Sequence, residues 1–210
     1  MIISEKYGHG RGAVDIAKSA IAGGADIIQM REKNKPRDEF VSLGNMLAGL
    51  CKEAGVTFIV NDDPILAKQV DADGVHLGQE DLALFKVEEA RAILGKDKII
   101  GISTSSIKDV EEANSKKDID YIGFGPVFPT VVKEKCVGTK EIEKVLKISE
   151  KPVFFIGGIS LNNIGGLLTK GACNVAVIRA ILESDDIEEE TKIWKSCLSS
   201  ARSTRNSSTK

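Results

Sequence analysis

The sequence predicts an α/β protein folded as a single (β/α)8 barrel of the TIM type. Three observations lead there. Short apolar runs alternate strictly with amphipathic helical stretches, which is the pattern of a parallel sheet covered by helices. Eight such units fit within 210 residues, a length suited to one domain. Most of the apolar runs end in polar residues or glycine, at the end where barrel enzymes carry their sites.

The first strand is short, Met1 to Ser4, and a loop with Gly8 and Gly10 follows. Val14, Ile16, Ala17, Ala20 and Ile21 give a helical apolar stripe, stopped by Gly23-Gly24. Ile27 to Met30 is the second strand. Pro36 opens a long helix running to about Ala54, with Phe40, Leu43, Leu47 and Leu50 inward and Gly55 at its end. Thr57 to Val60 is the third strand. Asp63 and Pro64 are a cap and first turn for a helix over Ile65 to Val70. Gly74 to Leu77 is the fourth strand, followed by a helix from Phe85 to Leu94. Ile99 to Ile102 is the fifth, with a helix to about Lys117. Asp120 to Phe124 is the sixth, and a long polar loop, Gly125 to Thr139, leads to a helix over Lys140 to Ile148. Pro152 to Ile156 is the seventh, with a helix over Leu161 to Lys170. Val175 to Ile178 is the eighth, and a helix from Asp185 to about Leu198 closes the domain, residues 1–198. Residues 199–210 are rich in Ser, Thr, Arg and Lys, and a disordered C-terminal tail is expected there.

Composition excludes several function classes. Net charge is −2, with 29 basic and 31 acidic residues, so no general affinity for nucleic acid or membrane is implied. The four cysteines are widely spaced and form no CxxC pair, which fits reduced thiols in the cytoplasm rather than a disulfide frame or a zinc site. No segment approaches a membrane span in length, and the start does not read as a signal peptide. Self-association is left open.

A barrel would gather the strand ends around one mouth. Gln29, Arg31 and Lys33 alternate at the end of the second strand and suit an anion. Asn61, Asp62 and Asp63 follow the third, and Gln79, Glu80 and Asp81 the fourth. Asp62 and Asp81 make a candidate pair for Mg²⁺, a hard ion held by carboxylates and substrate phosphate oxygens. Asn-Asp-Asp-Pro is equally a capping turn, and the expectation is that Asp63 caps while Asp62 faces the mouth. His76 reads as a packed strand histidine. Ser103 ends the fifth strand, Pro129, Thr130 and Lys133 lie in the loop after the sixth, and Arg179 follows the eighth. Gly157-Gly158, with Ser160 at an expected helix start, reads as a phosphate seat.

Five segments together resemble the thiamine phosphate synthase family: Gln29 to Lys33, Val60 to Asp63, Ala72 to Asp81, Gly123 to Thr130 and Ile156 to Ile159. The resemblance spans about Ile3 to Leu182. It implies a transferase that joins hydroxymethylpyrimidine diphosphate to a thiazole phosphate, or its carboxylated form, and releases thiamine phosphate and diphosphate. It implies that Gln29, Arg31, Lys33, Asn61, Ser103 and Lys133 bind the pyrimidine diphosphate, with Arg31, Ser103 and Lys133 catalytic. It implies that Asp62 and Asp81 bind Mg²⁺, and that Thr130, Gly158, Ile178 and Arg179 hold the thiazole phosphate. Neutralising the leaving diphosphate would be the main electrostatic task, and little acid–base machinery would be needed.

Three positions depart from the family pattern. Ser105 stands where His is usual, Val132 where Thr is usual, and Arg179 where Ser is usual. Val132 and Arg179 both fall in the thiazole-phosphate half. Two alternatives follow from the departures and the shared barrel: a paralogue like thiazole tautomerase, or a non-catalytic barrel that binds thiamine intermediates.

Overall fold

The protein is described by a computed structural model that covers residues 1–32, 35–80, 82, 84–131 and 135–207, side chains of 204–207 excepted. Eight strands form one parallel sheet in chain order: β1 (Ile2–Ile3), β2 (Ile27–Met30), β3 (Thr57–Asn61), β4 (Gly74–Leu77), β5 (Ile99–Thr104), β6 (Tyr121–Phe124), β7 (Val153–Ile156) and β8 (Val175–Ala176). The Ile2 N–H donates to the Val177 carbonyl at 3.0 Å and joins the last strand to the first. The expected (β/α)8 barrel is the fold observed.

Strand periodicity divides the side chains between two environments. Ile28, Met30, Phe58, Val60, Val75 and Leu77 face the helices and form a continuous core with them. The alternate residues, among them Gln29, Asn61, His76, Ser103 and Tyr121, line the barrel interior. The interior is thus unusually polar for a packed barrel, whose inner layers are ordinarily aliphatic.

The helices are α1 (Ala13–Ala22), α2 (Arg37–Ala54), α3 (Pro64–Gln69), α4 (Val87–Leu94), α5 (Ile107–Ser115), α6 (Ile142–Ile148), α7 (Gly165–Leu168), α8 (Arg179–Leu182) and α9 (Ile187–Ser207). A 3-10 turn over Glu5–Tyr7 replaces the loop expected after β1. Asp63 caps α3 by accepting from the Leu66 N–H at 2.7 Å. Ser106 caps α5, and its partner Asp109 accepts from the Ser106 N–H at 3.0 Å in a reciprocal box. Gly55 ends α2 in the left-handed conformation, as its position suggests. No helix among the described residues is long and apolar enough to cross a membrane.

Several expectations need correction. Cys51, not Leu50, takes the inward position on the last turns of α2. The helix expected from Phe85 starts at Val87, where Glu89 accepts from the Lys86 N–H at 3.2 Å. The helix expected over Leu161 to Lys170 shrinks to four residues. Asn163 competes for the local backbone, accepting from the Ser160 N–H at 2.9 Å and donating to the Gly158 carbonyl at 2.8 Å. Glycines at 165 and 166 add entropic cost to helix formation there. A short α8 after β8 is missing from the sequence reading. The last helix runs to Ser207, past the end expected at Leu198. Arg202 ties it down by donating to Asn174 Oδ1 at 2.7 Å, and cationic residues near a helix C-terminus complement its dipole.

Candidate functional site

At the carboxyl ends of the strands the barrel opens into a cavity of about 1120 Å³ that continues inward along its axis. Its wall includes Gln29 of β2 and Arg31 just after it, Asn61 of β3 and Asp62 just after it, and Ser103 of β5. Thr130 enters from the loop after β6, Gly158 from the end of β7, and Ile178 and Arg179 from the end of β8. All the described residues expected at the site therefore line one cavity. Lys33, Asp81, Val132 and Lys133 lie outside the described residues.

The backbone at Asp62 is left-handed, with φ 68°, a conformation that Asp tolerates better than most residues. Its N–H donates to the His76 carbonyl at 2.8 Å, pinning the turn to β4. This turn separates two carboxylates by role: Asp63 faces outward to cap α3 and pair with Arg37, while Asp62 stays on the cavity wall. Glu80 also lines the wall. The described residues contain no group of three or more His, Cys, Asp or Glu placed to hold a metal. Asp62 and Glu80 put carboxylate oxygens on the wall, the ligand type that a hard divalent ion such as Mg²⁺ takes.

Gly157 and Gly158 have φ 97° and 64°. A Cβ on Gly157 would meet Pro126 Cβ at 2.4 Å, and one on Gly158 would meet the Pro129 carbonyl oxygen at 2.6 Å. These glycines thus let the loop after β6 press onto the end of β7, which sets Thr130 beside them. The expectation of a helix start at Ser160 fails, because α7 begins only at Gly165. The N-terminus of α7 thus does not reach this glycine turn, whereas the start of α8, at Ile178 and Arg179, lines the same cavity.

Arg179 is half-exposed at the start of α8. Its Nε donates to Glu183 Oε1 at 2.6 Å and its Nη2 to Glu183 Oε2 at 3.2 Å. Its Cζ lies 5.9 Å from the centre of the Tyr7 ring. Glu183 uses one edge of the guanidinium fork and leaves the end-on edge, Nη1 and Nη2, for a second anion. Ser105, which stands where His is usual, is tied to the first turn of α5. Its N–H and hydroxyl both donate to Asp109 Oδ2, at 2.7 and 3.2 Å.

Sequence reasoning missed Tyr121, Glu183 and Tyr7, and it treated His76 as packing. His76 Nε2 lies 3.0 Å from Ser103 Oγ and its Nδ1 lies 2.9 Å from the Tyr121 hydroxyl. The signal was available in strand parity, since His76 and Tyr121 share the inward phase of Ser103 and Gly123 along their strands.

The family model described as thiamine monophosphate synthase matches residues 1–181. The chain belongs to the thiamine monophosphate synthase family. A thiamine-phosphate synthase of Persephonella marina is 46% identical over 200 residues, 94% of each chain. One from Halalkalibacterium halodurans is 39% identical over 200 residues, 94% of this chain and 93% of its own. The solved thiamine phosphate pyrophosphorylase of Pyrococcus furiosus superposes with a TM-score of 0.86 at 34% identity, covering 95% of both chains. Membership in the thiamine monophosphate synthase family agrees with the cavity, which among the described residues offers carboxylate and amide oxygens and cations at one mouth.

Proposed function

We propose that the chain is a transferase that joins hydroxymethylpyrimidine diphosphate to a thiazole phosphate, giving thiamine phosphate and diphosphate. The observation that carries this reading is the single cavity onto which Arg31, Asn61, Asp62 and Ser103 open beside Gly158, Ile178 and Arg179. Relatives named as synthases, at 46% and 39% identity, favour turnover over the tautomerase-like and non-catalytic alternatives.

In this reading Gln29, Arg31, Lys33, Asn61, Ser103 and Lys133 bind the pyrimidine diphosphate. Arg31, Lys33 and Lys133 spread positive charge over the departing diphosphate, and Ser103 donates a hydrogen bond to the same substrate. Asp62 and Asp81 would hold Mg²⁺, which supplies further charge neutralisation when bound. Thr130, Gly158, Ile178 and Arg179 hold the thiazole phosphate, with the end-on edge of Arg179 turned to its oxygens. The protein then aligns the thiazole nitrogen with the pyrimidine methylene carbon and keeps water away. The proposed compartment is the cytoplasm.

Calorimetric titration with hydroxymethylpyrimidine diphosphate tests the metal half of this reading. Binding should strengthen at least tenfold with Mg²⁺, and Asp62→Ala should abolish that gain while the far-UV circular dichroism stays native. Equal binding with and without Mg²⁺ would contradict the assignment.

A further inference from the structure

Four polar side chains form a connected line inside the barrel: Gln29 of β2, Tyr121 of β6, His76 of β4 and Ser103 of β5. Two glycines make it possible. Gly101 pairs in register with His76 on one side and with Tyr121 on the other. A Cβ on Gly101 would lie 2.1 Å from Tyr121 Cζ. The phenol ring occupies that vacated space and reaches His76, with ring centres 5.5 Å apart. Gly123 pairs in register with Ser103, and a Cβ there would come within 3.2 Å of His76 Cε1. Glycine inside a strand weakens it, so its use at both positions marks a place where something else must fit.

Each group in the line carries a limited number of hydrogens, so with a neutral His76 ring the line has two directions. In the first, Gln29 donates to the phenol oxygen and the phenol O–H donates to His76 Nδ1. Nε2 then carries the imidazole proton and donates to Ser103 Oγ. Ser103 keeps its own hydrogen for the cavity. In the second direction every bond reverses, and Ser103 spends its hydrogen on Nε2. It would then face the cavity with lone pairs alone, which repel an anionic oxygen. The first direction is therefore the one that suits an anionic oxygen in the cavity; the Gln29 and Tyr121 side chains are hydrogen-bonded to each other in either.

We propose that His76 and Tyr121 are positioning residues that fix the Ser103 hydroxyl as a hydrogen-bond donor toward an anionic oxygen of the diphosphate substrate. The substrate class and the choice of direction both rest on the reading under Proposed function, and the tautomer spectra read the direction independently of turnover. Ser103 touches substrate, and the two rings act through it.

The test begins with long-range ¹H–¹⁵N spectra of the labelled full chain without ligand. Only His9 and His76 contribute, and His9 is exposed, so assignment is direct. His76 should be the Nε2–H tautomer, and Tyr121→Phe should populate the Nδ1–H form. An Nδ1–H tautomer in the native chain, or no change in Tyr121→Phe, overturns the proposal. A kinetic cycle then asks whether the rings act through Ser103. Ser103→Ala should lower kcat about 10- to 100-fold and Tyr121→Phe about 10-fold, the range for a hydrogen bond to a charged group. The double variant should be no slower than Ser103→Ala alone, and multiplied losses would refute the role. Absence of any turnover in the native chain would count against the synthase reading only, and the tautomer spectra would still decide the direction of the line.

Discussion

Gly101→Ala should destabilise the protein far more than its size suggests. The added Cβ would stand 2.1 Å from Tyr121 Cζ, against a normal carbon contact of about 3.5–4.0 Å, so the ring must retreat by roughly 1.5 Å. Gly101 is buried and its strand is hydrogen-bonded on both sides, so relief must come from the ring. Overpacking of this kind costs about 1–3 kcal/mol. Parting the phenol from His76 Nδ1 strands a buried polar group and costs about 1–3 kcal/mol more. At about 2–4 °C per kcal/mol for a chain of this length, the sum lowers Tm by roughly 5–20 °C. Gly49→Ala is the control. Gly49 is exposed within α2 and has nothing within 4 Å of an added Cβ. Replacing a helical glycine by alanine gains about 0.5–1 kcal/mol, so Tm should rise by roughly 1–4 °C. Thermal unfolding followed by calorimetry reads both. A Tm for Gly101→Ala within about 2 °C of the native value would refute the claim that glycine is there to admit the tyrosine ring.

Other outcomes follow from the same contacts. Glu183→Ala frees the Arg179 fork from its orienting partner and should raise KM for the thiazole phosphate by up to about fivefold with kcat little changed, the scale of a half-exposed ion pair. A lowered KM would mean that Glu183 competes with the phosphate. Burial pushes the Asp109 carboxyl up, but hydrogen bonds from Ser105, Ser106 and Gln79 outweigh it and hold it below its ordinary value. A depressed folded-state pKa stabilises the fold above the unfolded value of about 3.9, and that contribution disappears as pH falls through the folded pKa. Asp109→Asn should therefore lower Tm near neutral pH and shrink the fall in Tm on acidification, and an unchanged acid profile would contradict this. Burial pushes the Cys51 thiol up to about 11. A thiol reagent at mildly alkaline pH should label exposed Cys136 at once and Cys51 only on unfolding, and equal rates would show that Cys51 is accessible.

Much of the fold was legible because its signals are local. The runs Ile27 to Met30 and Gly74 to Leu77 are strands with the bounds that their apolar pattern gives. Asp63 and Pro64 start α3 as capping chemistry requires. What failed was set by contacts distant in sequence or by side chains competing with the backbone. Asn163 dissolves the start of the helix after β7, and Arg202 holds the last helix to the turn before β8. The candidate site divides in the same way. The strand ends placed Gln29, Arg31, Asn61, Asp62 and Ser103 on one wall because barrel geometry gathers them. Strand parity turns His76 and Tyr121 inward, but their ring contacts depend on the space left at Gly101 and Gly123, which no local pattern marks. Arg179 could be seen as an unusual charge, but its bond to Glu183 appears only once α8 forms.

The measurement that tests the central claim most directly is a joint assay of diphosphate and thiamine phosphate, with Mg²⁺, hydroxymethylpyrimidine diphosphate and thiazole phosphate supplied together and singly. The account predicts that both products form in equal amount only when both substrates are present. Release of diphosphate without thiamine phosphate, or no release despite tight binding of either substrate, would contradict it.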